Sequence, residues 1–94
     1  MGKLNGKVIW ITGASSGIGE ELTKQLSQKD CKLIISARRE GELERVKNTC
    51  INSENIAVLP FDLANTDTMK ALVDKAISIY GSIDFGFDVL YLNS

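Results

Sequence analysis

The sequence has no histidine at all, one proline and two cysteines. Without histidine a His-containing zinc site is impossible, and the isolated thiols of Cys31 and Cys50 cannot build a structural one, so no metal site is expected. Cys31 opens an apolar run and Cys50 closes a helical face; both read as small, reduced, partly buried residues. Excess basic charge is lacking too. The net charge is −1 with no clustered cationic face, which argues against nucleic acid as a partner. Each apolar stretch has the length of a strand, well short of the roughly 20 residues that span a membrane. Met1-Gly2-Lys3-Leu4-Asn5-Gly6 carries neither the apolar core of a signal peptide nor the Ser/Thr of a myristoylation signal, so a soluble cytoplasmic protein is expected.

What is present is a balanced composition, 44% hydrophobic and 24% charged, with eight glycines. That suits one small globular domain over 1–94, without linker, repeat or low-complexity segment. The stretch that organises it is Thr12-Gly13-Ala14-Ser15-Ser16-Gly17-Ile18-Gly19, entered from Lys7-Val8-Ile9-Trp10-Ile11 and left through Glu20-Glu21-Leu22. Strand, glycine-rich turn and helix follow in the order that a dinucleotide fingerprint requires. Gly13 allows a sharp exit from the strand, Gly17 removes a Cβ where a pyrophosphate would approach, and Gly19 lets the helix lie close to its strand. Free amides in the first helical turn, and the positive end of the helix dipole, would then face the phosphates. A phosphate-binding P-loop would close on Gly-Lys-Ser/Thr, whereas this turn closes on Gly19-Glu20-Glu21 and puts a carboxylate where lysine must meet phosphate.

Along the chain, a first strand over 7–12 precedes a helix over 16–29 with Ile18, Leu22 and Leu26 on one stripe. Lys32-Leu33-Ile34-Ile35-Ser36 is a second buried strand, and the helix after it turns Leu43, Val46 and Cys50 to one side. Ile56-Ala57-Val58-Leu59-Pro60 is a third strand, with proline where one amide can be spared. Asn65 or Thr66 caps a third helix whose apolar face is Met69, Leu72, Val73, Ala76, Ile77 and Tyr80, ended by Gly81. Val89-Leu90-Tyr91-Leu92 would be the fourth strand. Strict alternation with right-handed crossovers predicts an α/β fold, a doubly wound parallel sheet of order 3-2-1-4. Two helices would cover one face and the third the other, and the glycine turn would open on the switch point between strands one and four.

Taken together these residues resemble the N-terminal half of the short-chain dehydrogenase/reductase family, over 7–93. Thr12 to Gly19 matches that family's Thr-Gly-x-x-x-Gly-x-Gly motif in full, and Asp62-Leu63 resembles the acidic position that accepts the adenine amino group. The resemblance implies a Rossmann-like NAD(P)-binding domain with cofactor contacts at Gly13, Ser15, Ser16, Gly17, Ile18, Gly19, Arg38, Asp62, Leu63 and Asn93. An NAD-preferring member places Asp or Glu at the end of the second strand, about 20 residues past the turn. Here Ser36-Ala37-Arg38-Arg39 offers no carboxylate and instead a guanidinium fork, which points to NADP(H), with Arg38 as the main 2′-phosphate contact and Ser15 or Ser36 assisting. Two cations near a positive helix terminus are otherwise unfavourable.

The family's catalytic Tyr-x-x-x-Lys pair would lie beyond residue 94, so no catalytic residue is assigned. Tyr80 has Asp84 four residues on, and a carboxylate raises a phenol's pKa; Tyr91 has nothing at that offset. The family continues from Gly-x-Ile-Asp into Val-Leu-Val-Asn-Asn-Ala-Gly, whereas Gly81-Ser82-Ile83-Asp84 is followed here by Phe85-Gly86-Phe87-Asp88, which reads as about four extra residues before the fourth strand. Of the paired asparagines only Asn93 matches, and the chain reads as cut short after that strand. The parent reaction would be hydride transfer between NADP(H) and a carbonyl or alcohol, the small substrate belonging to a full-length form. The alternative is a non-catalytic nucleotide-binding or partner-binding fragment. An uncovered fourth strand predicts self-association.

Overall fold

The computed structural model describes residues 5–15, 17–61 and 69–88. Its elements are β1 (Val8–Thr12), α1 (Gly17–Ser27), β2 (Lys32–Ser36), α2 (Glu40–Asn48), a 3₁₀ turn (Ser53–Asn55), β3 (Ile56–Val58), α3 (Met69–Tyr80) and β4 (Phe85–Asp88). All strand pairs are parallel and the sheet order is β3-β2-β1-β4, so the doubly wound topology read from the alternation is the one found.

Residues on β1 and β2 face the two layers alternately, as the period-2 geometry of a strand dictates. Ile9, Ile11, Leu33 and Ile35 point to one side, where Leu43 and Val46 of α2 join them with Leu22 and Leu26 of α1. Val8 and Ile34 point to the other, against Ala76, Leu72, Ile79 and Tyr80 of α3, with Trp10 beside them. The helix stripes are met at Leu22, Leu26, Leu43, Val46, Cys50, Leu72, Ala76 and Tyr80, and two residues depart from them. Ile18 is 53% exposed because it rides over the turn at the start of α1, and Ile77 is 39% exposed while Ile79 takes a place in the core.

The fourth strand differs from the reading made from the sequence. It is Phe85–Asp88, pairing Ile9 with Phe85 and Ile11 with Phe87, so these four residues are strand and not an insertion before it. Val89 to Leu92, expected to form the strand, lie outside the described residues. Asp84 accounts for the shift. Its amide donates to the Val8 carbonyl at 2.8 Å, and its carboxylate accepts the Val8 amide at 2.9 Å. Gly81, at φ 91°, ends α3 and turns the chain into that clamp. The register is thereby set from the start of β1.

Both thiols are free, Cys31 buried and Cys50 partly so. Each sulfur faces a helical carbonyl, Leu26 at 3.4 Å and Val46 at 3.2 Å, and burial pushes the Cys31 thiol pKa up. Among the described residues no helix is long and apolar enough to cross a membrane, and no group of residues has a metal-holding arrangement.

Ile35 is fully buried in the middle of the sheet. Ile35→Ala is expected to cost about 2–5 kcal/mol, read as a lower urea midpoint. Ile51→Ala, at a position 73% exposed, is expected to change stability by less than about 0.5 kcal/mol in the same measurement.

Candidate functional site

The carboxyl ends of β1, β2 and β3 come to one edge of the sheet. Register pairs Thr12 with Ser36 and Ile35 with Val58. Beyond the strands the ladder continues: Ala14 N–H donates to the Ser36 carbonyl at 3.1 Å, Leu59 N–H to Ile35 at 2.9 Å and Phe61 N–H to Ala37 at 3.0 Å. The glycine turn, Ala37-Arg38 and Phe61 are thus neighbours along that edge. On the other side of β1, the Thr12 hydroxyl donates to the Phe87 carbonyl at 3.3 Å, so the turn also borders the switch between β1 and β4.

The turn itself is shaped by its glycines. Gly13 and Gly17 have φ of 69° and 57°, in the left-handed region that side chains disfavour. Among the described residues a Cβ on Gly17 would meet nothing within 4 Å, so they leave the space in front of it open. Gly19 is the opposite case. A Cβ there would fall on the Gly13 carbonyl oxygen, with the Gly13 carbonyl carbon at 2.8 Å and the Ala14 Cα at 2.9 Å. Helix α1 therefore rests directly on the backbone leaving β1. Its N-terminus, where orphan amides and the dipole favour anions, starts at Gly17 on the open side.

Around this turn the expected contacts divide. Gly13, Ser15, Gly17, Ile18 and Gly19 stand together in the turn and the first turn of α1, with the Ile18 side chain exposed. Arg38 is exposed one residue beyond Ala37, and Arg39, also exposed, holds the N-cap position of α2 without a side-chain cap bond. Among the described residues neither arginine has an acidic partner. Ser36, expected to assist at the 2′-phosphate, is not available there. Alternation puts it on the α3 side, fully buried, where its hydroxyl accepts the Trp10 indole N–H at 2.8 Å. Ser16, Asp62, Leu63 and Asn93 lie outside the described residues.

Tyr80 sits at the far edge of the sheet. Its hydroxyl donates to the Asn55 carbonyl at 3.1 Å, just before β3, and burial alone pushes its pKa up, not the Asp84 carboxylate suspected from the sequence. It serves packing and cannot take part in chemistry at the glycine turn.

One cluster beside the turn was not foreseen. Arg45 of α2 reaches α1, with Nη1 and Nη2 each 3.2 Å from a Glu20 carboxylate oxygen, Nη2 3.0 Å from the Ser15 carbonyl, and Nε 3.0 Å from Glu42. Lys24 adds a second cation at 3.2 Å from Glu20. The Arg45 hydrogen bond first, and that of Lys24 second, hold the Glu20 carboxyl below its ordinary range. The Glu20–Lys24 and Glu42–Arg45 spacings are local, whereas the contact of Arg45 with Glu20 needs α1 and α2 to be packed.

These features, a bare glycine turn at the switch point and a close helix behind it, are those of a doubly wound α/β fold at the end where its sheet reverses order. The chain belongs to the short-chain dehydrogenase family, whose model matches residues 7–93. It is 47% identical over 87 residues to mouse dehydrogenase/reductase SDR family member 7, covering 87% of this chain but 26% of that protein. The chain thus spans about a quarter of the length of the curated relatives it matches. Among solved structures it resembles the 3-ketoacyl-(acyl-carrier-protein) reductase from Brucella melitensis complexed with NADH (31% identity, TM-score 0.76, 89% of this chain and 34% of that one). It also resembles a metagenomic short-chain oxidoreductase in complex with NADP (25% identity, TM-score 0.79, 88% and 38%).

The wedge between Gly19 and Gly13 makes a direct test. Gly19→Ala is expected to cost about 1–3 kcal/mol in urea unfolding, because backbone and not a flexible side chain must yield. Gly17→Ala has room for its methyl and is expected to cost about 1 kcal/mol for its left-handed φ.

Proposed function

We propose that this chain is the NADP(H)-binding part of a short-chain dehydrogenase/reductase. The observation that carries the reading is the Gly17 position, left-handed and open in front, at the N-terminus of a helix wedged against its strand. Backbone without side chains beside unpaired helix amides suits a pyrophosphate. Gly13, Ser15, Ser16, Gly17 and Gly19 would line it, and the exposed Ile18 would lie against the bound nucleotide. Arg38 would meet the 2′-phosphate as a charge-assisted fork, while Asp62 and Leu63 would receive the adenine and Asn93 would close the site near β4. That one of the solved neighbours is complexed with NADP and another with NADH supports the cofactor class. The absence of a carboxylate in Ser36-Ala37-Arg38-Arg39 favours the phosphorylated form.

Bound there, the dinucleotide would supply hydride chemistry toward a carbonyl or alcohol. The chain's own residues bind and orient it. Tyr80 has Asp84 and not a lysine four residues on, so no proton transfer is assigned to it.

Calorimetric titration with NADPH and NADH tests the assignment. The chain is expected to prefer NADPH, and Arg38→Ala to lower that preference about tenfold or more, since hydrogen bonds to charged groups are the strong ones. An unchanged ratio of the two affinities would overturn the role of Arg38.

A second reading, a partner-binding fragment, is favoured by one observation. Phe85 and Phe87 continue the row of Ile9 and Ile11 on β4 yet are 45% and 39% exposed, on the outermost strand of the described sheet. Exposed apolar edges invite pairing. Sedimentation is expected to show concentration-dependent self-association, reduced in Phe85→Ser/Phe87→Ser; a monomer at every concentration would dismiss it.

A further inference from the structure

We infer that Arg45 is a positioning residue that keeps the start of α1 receptive to an anion, by occupying the Glu20 carboxylate and the Ser15 carbonyl. The inference rests on the dinucleotide reading above. Glu20 lies in the first turn of α1. A carboxylate there is attracted to the same helix N-terminus that would hold a pyrophosphate, and two anions at one terminus repel each other. Left alone, Glu20 would therefore compete with the ligand.

The geometry shows how that competition is reduced. Both Glu20 oxygens are taken by the Arg45 fork at 3.2 Å, a planar two-point grip that a single ammonium does not reproduce. The same Nη2 that holds Glu20 also holds the Ser15 carbonyl at 3.0 Å, so one nitrogen ties the carboxylate and the turn together. The bond also offsets the partial negative charge of that carbonyl, which belongs to the turn just before Gly17. Glu42, bound to Nε at 3.0 Å, fixes the guanidinium from its own helix.

Stability gives no competing reason for the arrangement. Arg45 is about half exposed, its side chain at 45%, and exposed ion pairs contribute little to folding. Its effect on an anion at the turn would come through Glu20, whose charge lies in the first turn of α1.

Arg45 and Arg38 then leave different signatures. Arg38 would act on the phosphate that distinguishes NADPH from NADH. Arg45 would act on the pyrophosphate that both share.

The test is titration of the 94-residue chain with NADPH and with NADH, for wild type, Arg45→Ala, Glu20→Gln and Arg45→Ala/Glu20→Gln, at a temperature where circular dichroism shows each variant folded. Arg45→Ala is expected to weaken both dinucleotides by roughly threefold to tenfold, with their ratio unchanged. The double variant is expected to regain most of that loss, because the carboxylate that only Lys24 would still hold is gone. Glu20→Gln alone is expected to tighten both, and it keeps the test open should Arg45→Ala fail to fold. Wild-type affinity in Arg45→Ala, no recovery in the double variant, or no tightening in Glu20→Gln would each overturn the inference while leaving the dinucleotide reading intact. A wild-type chain that binds neither dinucleotide would overturn both.

Discussion

The close approach of Gly19 to the Gly13 carbonyl is the constraint on which the rest of the molecule depends. No other residue type fits, because any Cβ at position 19 would occupy the place of a backbone oxygen. With α1 held that close, its first turn sits directly behind the left-handed turn at Gly13 and Gly17. Ala14 is buried, and its amide is bonded to the Ser36 carbonyl, so the turn is also fixed to the end of β2. Arg38 follows from that attachment. The helix N-terminus and the guanidinium are brought to the same edge by backbone contacts alone.

The two edges of the sheet are built differently. At the amino edge the strands are joined by side chains: Asp84 holds Val8, Lys32 donates to Asn55 at 2.9 Å, and Tyr80 reaches the Asn55 carbonyl. Those bonds set register and hold α3 in place. At the carboxyl edge the described residues leave Arg38 and Arg39 without acidic partners and Ile18 uncovered. Open α/β sheets receive ligands outside the carboxyl ends of their strands, at the switch in strand order. Among the described residues that edge carries the glycine turn, Arg38 and Arg39 side by side, with Thr12 bonded across to Phe87 at the switch.

Much of this was legible in the sequence, for identifiable reasons. Strand-to-helix alternation and the 3.6-residue spacing of Leu43 with Val46, or Leu72 with Ala76, are local patterns, and they gave the sheet order without any tertiary information. The glycines of the turn were legible because each answers a steric demand that few other sequences meet. The misreadings share a cause. Phe85-Gly86-Phe87-Asp88 read as extra residues before the strand, yet a two-way pairing between Asp84 and Val8, 76 residues apart, brings them into the sheet. Ile18 fits the stripe of Leu22 and Leu26, but a helix that begins on a tight turn lifts its first side chains off the sheet. Ser36 appeared available because the strand end was visible and its face was not. The contact of Arg45 with Glu20 was hidden for the same reason, since the packing of two helices brings together residues 25 apart.

The account stands on a pyrophosphate seated in front of Gly17, and amide chemical shifts measured while NADP⁺ is added test that most directly. It predicts saturable shifts confined to Gly13, Ser15, Gly17, Ile18, Gly19 and Arg38, with the Asn55 and Tyr80 amides at the opposite edge unmoved. Shifts concentrated at that opposite edge, or none at all, would contradict it.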